Sequence, residues 1–201
     1  KVSDKLTVLA EVLLQAVFKS AWQQLTDKFG VPSHLQQDET GFLVVGYGKL
    51  GGYELGYGSD LDLVFIHNAP QDSETSGAKK VSAQHFYIKL AQRIMHLLNT
   101  RTLSGQLYEA DLRLRPSGNS GLLCCHLSGF EHYQEQEAWT WEHQALVRAR
   151  PVAGNKSLFA HFEQTREVIL CRPRDPAALA REVQFMRQKM QKKLGSYPNS
   201  N

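Results

Sequence analysis

The sequence predicts an α+β domain continued by helices, and three observations carry this. Short β-branched and alternating segments crowd the first two-thirds of the chain, an amphipathic helix opens it, and helical periodicity runs from Leu127 to Leu194. At 201 residues and 42% hydrophobic composition the chain is long enough for a sizeable core and too apolar for wholesale disorder.

Asp4 to Phe29 places Leu6, Leu9, Val12, Leu13, Ala16, Val17 and Trp22 at helical spacing, and Gly30 with Pro32 ends that helix. Gly41-Phe42-Leu43-Val44-Val45 reads as a buried strand. A glycine-dense segment, Gly46 to Gly58, leads into the strand Asp60 to Ile66. Asn68 to Lys80 is polar, with Pro70 and Gly77, and reads as a mobile loop. Val81 to Asn99 carries Phe86, Leu90, Ile94, Leu97 and Leu98 in one helical stripe. Gln106 to Arg115 alternates strictly, Pro116 to Asn119 turns the chain, and Gly121 to Cys125 supplies one more strand. The later helices break near Pro151 to Gly154 and at Arg172-Pro173.

Charge excludes several classes. The balance of 23 basic to 20 acidic residues gives +3, far from a dedicated nucleic-acid binder. From Arg166 to Lys193 the net is +5, read as a solvated helix face. No apolar run reaches the roughly 18 residues of a membrane span, and Lys5, Glu11 and Lys19 interrupt anything resembling a signal peptide. Cys124, Cys125 and Cys171 form no CxxC, so a reducing cytoplasm is expected rather than a disulfide framework.

The chemistry sits on carboxylates. Asp60 and Asp62 are two apart on a strand, so their side chains leave the same face. On the alternating segment, Glu109, Asp111, Arg113 and Arg115 share one face. Burying such a set is costly unless a divalent cation meets the acids and phosphates meet the arginines. Mg²⁺ favours carboxylate oxygens together with substrate phosphates, and two such ions roughly 4 Å apart form the clamp of phosphoryl and nucleotidyl transfer.

Gly46-Tyr47-Gly48-Lys49-Leu50-Gly51 matches GxGxxG, but the next strand follows too soon for the crossover helix of a dinucleotide-binding unit. A Walker A loop fails because Leu50 follows Lys49. What survives is a turn in which Gly48, Gly51 and Gly52 permit close backbone approach, their amides cradling a triphosphate and Lys49 adding charge.

Gly46 to Leu55 running into Ser59-Asp60-Leu61-Asp62-Leu63, then Asp111 to Gly118, then Glu137 to Arg150, together resemble the glutamine synthetase adenylyltransferases, also called glutamate–ammonia ligase adenylyltransferases. That family falls in the polymerase-β-like nucleotidyltransferase superfamily. The resemblance implies a mixed sheet flanked by helices, with an N-terminal helix at 1–30, a catalytic domain at 31–154 and a helical extension at 155–201, excised from a longer bifunctional chain. It implies transfer of AMP from ATP to a tyrosine of glutamine synthetase with release of pyrophosphate. The alternative is the family's homologous half, which removes AMP by phosphorolysis. Gly56-Tyr57-Gly58-Ser59 before the Asp pair and Arg115-Pro116-Ser117-Gly118 look like the C-terminal, adenylylating half.

Carried over, Asp60 and Asp62 correspond to the metal-binding pair and Asp111 to the third carboxylate, acting as a ligand or as a base. Gly51 and Gly52 match the superfamily's glycine turn. Gly48, Lys49, Ser59, Arg113 and Arg115 complete the expected nucleotide-binding set. Two Mg²⁺ ions are expected, with PII-type signal proteins as partners of the longer enzyme and no nucleic acid or membrane partner. Gln144 and Arg148, four apart on a helix, could reach phosphate or adenine or equally face solvent or pair within the chain, while Trp139 and Trp141 read as core anchors and Cys124 and Cys125 as inert core thiols.

Overall fold

The computed structural model describes residues 1–100 and 105–194, with side chains through residue 189. Two compact units separate at Leu170/Cys171. This partition does not coincide with divisions at 30/31 and 154/155, because the opening helix and the helix after residue 155 both belong to the first unit.

Helix α1 spans Val2–Phe29. Strand β1, Phe42–Gly46, is buried along its whole length and leads into a single helical turn, α2, Gly48–Gly51. Strand β2, Leu61–His67, runs antiparallel to β1, pairing Phe42 with His67 and Gly46 with Leu63. Helix α3, Ala83–Asn99, starts at Ser82, whose hydroxyl accepts the His85 amide at 3.2 Å. Strands β3, Ala110–Asp111, and β4, Cys124–His126, both pair parallel with β2, β3 at its beginning and β4 at its end. Helices α4, Leu127–Gln136, and α5, Thr140–Leu146, precede strand β5, Arg150–Gly154, and helix α6, Lys156–Leu170. The sheet is therefore mixed, ordered β3-β2-β1-β5 with β4 also on β2, and flanked by helices.

Strand alternation divides the core. Phe42, Val44, Leu61, Leu63 and Phe65 meet α1 and α3 on one face, while Leu43, Val45, Val64 and Ile66 meet α4, α5 and α6 on the other. Phe42 stacks between Phe18, Phe65 and Tyr87 with ring centroids 5.6–6.0 Å apart.

Several elements depart from the sequence expectation. The break at Pro151 is a sheet-edge strand against β1, its register shifted between Val44 and Val45. The alternating segment yields only two strand residues, because Asp111 turns the chain immediately: its carboxylate accepts the Arg113 amide at 2.8 Å. The core face of α1 is Ala10, Leu14, Val17, Phe18, Ala21 and Leu25, while Leu9 and Val12 are exposed. Trp139 and Trp141 are exposed rather than core anchors. Within Asn68 to Lys80, Thr75 is buried and bonds Val81 through its backbone and hydroxyl, and Gly77 packs against Phe29 and Gly30.

The second unit holds helix α7, Pro176–Leu194, capped by Asp175, whose carboxylate accepts the Ala177 and Ala178 amides at 3.1 Å. None of its described residues from 171 to 189 is buried, as a solvated face requires.

Candidate active site

Strand pairing brings two of the three carboxylates together. The parallel β2/β3 register aligns Leu61 with Ala110 and Asp62 with Asp111, locked by the Leu61 amide on the Glu109 carbonyl at 2.9 Å. Asp60 stands just before β2, exposed. Asp60, Asp111, Arg113 and Arg115 line one cavity of about 520 Å³, a size suited to a nucleotide-scale ligand.

Electrostatics separate the carboxylates. Asp62 is half-buried, and burial first, then the charges of Asp111 and Asp60, drive its carboxyl above the ordinary range; Arg113 and Lys49 oppose this. Asp111 moves the other way, held down chiefly by the hydrogen bond from the Arg113 side chain. Arg113 donates from Nε at 2.7 Å and also pairs through Nη2 with the same oxygen. The guanidinium is otherwise exposed, so this contact neutralises Asp111 without burying Arg113.

The glycine turn is built around Asp62. The Tyr47 amide donates to the Asp62 carbonyl at 2.9 Å, carrying the chain from β1 directly over β2. Gly48 has φ 55°, and a Cβ there would stand 2.5 Å from the Asp62 carboxylate. At Gly51 a Cβ would overlap the Arg148 carbonyl oxygen and stand 2.6 Å from that of Gly46. The amides of Gly51 and Gly52 donate to the Tyr47 and Gly48 carbonyls within the turn. Gly51 therefore supplies clearance, and the amides of both glycines are engaged within the turn rather than turned outward as the cradle read from the sequence. Lys49 is exposed beside Asp62.

Several side chains near the site have partners of their own. Arg115 donates to the carbonyls of Leu112, Asn119 and Gly121 and knots its own loop rather than presenting a free fork. Ser59 accepts the Gly56 amide at 3.1 Å and closes the loop before Asp60. Arg148 pairs with Glu54 at 2.7 Å, and Gln144 faces solvent. Cys124 and Cys125 behave as core thiols: burial drives both up, Cys125 to about 12.

Sequence reasoning assigned no role to Arg150. Its guanidinium donates to the Gly51 carbonyl at 3.1 Å and the Leu50 carbonyl at 3.2 Å, pairs with Glu11 of α1, and stacks 3.9 Å from the Tyr53 ring centre. A run of alternating basic residues gave no signal that one of them turns back under the glycine turn.

Among the described residues, no three His, Cys, Asp or Glu side chains are grouped to hold a metal ion by themselves. The donor set suits Mg²⁺ nonetheless. That ion takes one or two carboxylates and completes its shell with water and phosphate oxygens, and a cation offsets both the burial and the acidic neighbours that raise Asp62.

The family described as glutamate-ammonia ligase adenylyltransferase matches residues 1–165. A bifunctional glutamine synthetase adenylyltransferase/adenylyl-removing enzyme of Alteromonas mediterranea is 65% identical over 198 residues, covering 98% of this chain and 20% of the relative. The enzyme of the same description from Mannheimia haemolytica is 56% identical, covering 98% of this chain and 21% of its own length. The chain thus spans about a fifth of the curated relatives it matches.

Proposed function

The chain belongs to the glutamate-ammonia ligase adenylyltransferase family, and from that premise we propose that it carries a nucleotidyltransferase site moving AMP from ATP to a tyrosine of glutamine synthetase, with release of pyrophosphate. The observation that supports this reading is the side-by-side register of Asp62 and Asp111, with Asp60 adjacent, beneath a turn whose Gly48 has no room for a side chain. The sequence Gly56-Tyr57-Gly58-Ser59 before the Asp pair favours the adenylylating direction.

Asp60 and Asp62, joined by Asp111, are the residues that would hold Mg²⁺. When bound, the metal supplies charge neutralisation for the triphosphate and acidity for a phenol whose ordinary pKa is near 10. Lys49, beside Asp62, brings a cation to the phosphates. Arg113 shares the cavity with Asp60 and Asp111, so its exposed guanidinium meets phosphate oxygens there. Arg115 keeps the 112–121 loop folded behind it. Regulation by PII-type signal proteins is read for the longer enzyme, and nucleic acid has no part in the reading.

The test incubates the chain with unmodified glutamine synthetase, Mg²⁺ and ATP labelled at the α-phosphate, beside an Asp60→Asn variant. Label on the synthetase that disappears in the variant and with chelation supports the reading. Absence of label, with ADP released from adenylylated synthetase and phosphate, reverses the direction to removal. Label retained by Asp60→Asn overturns the site.

A further inference from the structure

Strand β5 enters the sheet at Arg150, opposite Gly46 of β1, and the side chain reaches back to the turn that follows Gly46. We propose that Arg150, clamped by Glu11, is the positioning residue of the glycine turn and sets its reach toward the phosphates of a nucleotide. The proposal rests on the nucleotidyltransferase reading above.

Three independent contacts converge on that guanidinium. First, α2 is a single turn of four residues, too short to be stable alone, and the Tyr53 amide reaches its Leu50 carbonyl only at 3.4 Å. Arg150 adds side-chain donors to two of its carbonyls, Leu50 through Nη2 and Gly51 through Nε, so the planar guanidinium fastens the turn to β5. Second, Tyr53 has φ 57°, a conformation that non-glycine residues avoid, and its ring lies against the guanidinium at 3.9 Å. Third, Glu11 accepts from the same Nη2 that meets Leu50 and ties the guanidinium to α1. Arg150 and Glu11 are largely buried, 18% and 26% exposed, so the pair is shielded from solvent.

The other end of the same turn is Gly48, in contact with Asp62. The turn is thus pinned at one end by the metal-site carboxylate and at the other by Arg150. Loosening the second pin shifts the backbone relative to the carboxylates while β5 keeps Val152 and Ala153 in the core. A lysine at 150 keeps the charge but offers a point contact in place of the fork. Nothing in this arrangement touches the reacting atoms, so the loss falls on nucleotide binding rather than on the chemical step.

The experiment measures Mg-ATP affinity by calorimetry, the KM for ATP and kcat of the transfer reaction, and melting temperature, for the parent chain and for Arg150→Lys, Glu11→Gln and the double variant. Arg150→Lys is expected to weaken Mg-ATP binding and raise KM by about tenfold, with kcat at saturating ATP held within about threefold. Glu11→Gln is expected to shift both in the same direction by about threefold, and the double variant to be no worse than Arg150→Lys alone, because the two act as a unit. A folded Arg150→Lys with parental ATP affinity overturns the proposal. If Arg150→Lys does not fold, Glu11→Gln decides: unchanged affinity overturns the proposal and weakened affinity upholds it. A parent chain that binds no Mg-ATP brings down the nucleotidyltransferase reading itself, which separates that failure from failure of the positioning role.

Discussion

At its beginning β2 carries the half-buried Asp62 among the charges of Asp60, Asp111, Lys49 and Arg113; five residues later the same strand presents His67 to the core, 2% exposed, its ring 5.1 Å from Tyr87 and 5.4 Å from His126. Both side chains titrate, and both are pushed toward neutrality, primarily by burial. Compensation distinguishes them. Around Asp62 two cations answer the neighbouring acids, whereas His67 has only histidines for charged neighbours and its Nε2 finds no partner among the described residues. One end of the strand is prepared to receive charge and the other refuses it. The prepared end is where pairing is shortest, two residues of β3 before the chain turns.

The largest expected effect comes from removing the prepared charge. Asp62→Asn is expected to reduce AMP transfer by about 10³-fold while leaving the melting temperature equal or higher, since it also removes the repulsion with Asp60 and Asp111. A thermal melt beside the transfer assay checks both, and a lowered melting temperature would assign Asp62 to the scaffold. Next in size is Gly51→Ala. Its new Cβ meets backbone rather than a movable side chain, so a destabilisation of about 3 kcal/mol is expected, or roughly 6–12 °C in melting temperature. Chemical denaturation gives that figure directly, and a change below about 1 kcal/mol would mean that the turn is softer than its contacts indicate.

The refusing end is read by pH. His67 is held at about 3 in the folded protein against 6.5 ordinarily, so between those values the unfolded chain binds a proton that the folded one does not. Stability from this group is complete above 6.5 and is lost as pH falls toward 3, by at most about 1.4 kcal/mol per pH unit. His67→Gln should flatten the acid limb of stability against pH by that amount; an unchanged slope would show that His67 is protonated in the fold. The smallest effect is expected at Tyr87, whose hydroxyl donates to the Thr40 carbonyl at 2.8 Å. Tyr87→Phe keeps the ring against His67 and should cost about 1 kcal/mol in unfolding measurements, with AMP transfer untouched.

The carboxylates were legible in part because their chemistry is local: of the Asp-x-Asp pair Asp62 lies on β2, while Asp60 stands just before the strand begins. The strand carrying Asp111 was legible only in part. Alternation from Tyr108 to Arg115 satisfies the strand period, but period says nothing of a carboxylate that captures the amide two residues on. Strand β5 was hidden by Pro151, which sheet edges tolerate. The long apolar helix α1 offered two faces of similar hydropathy, and only Phe42, Phe86 and their neighbours select the one that turns inward. Arg150 was illegible for a different reason: its partners Glu11 and Gly51 lie 139 and 99 residues away.

Those separations bear on how the protein is made. Strand β5 pairs with β1 across more than a hundred residues, and the clasp on the glycine turn arrives with it. A ribosome that has delivered Asp60, Asp62 and even Asp111 has produced an acidic groove with no fastened turn. Arg150 emerges 90 residues after Asp60. Order of synthesis therefore fastens the glycine turn late, when the sheet that holds it is nearly complete.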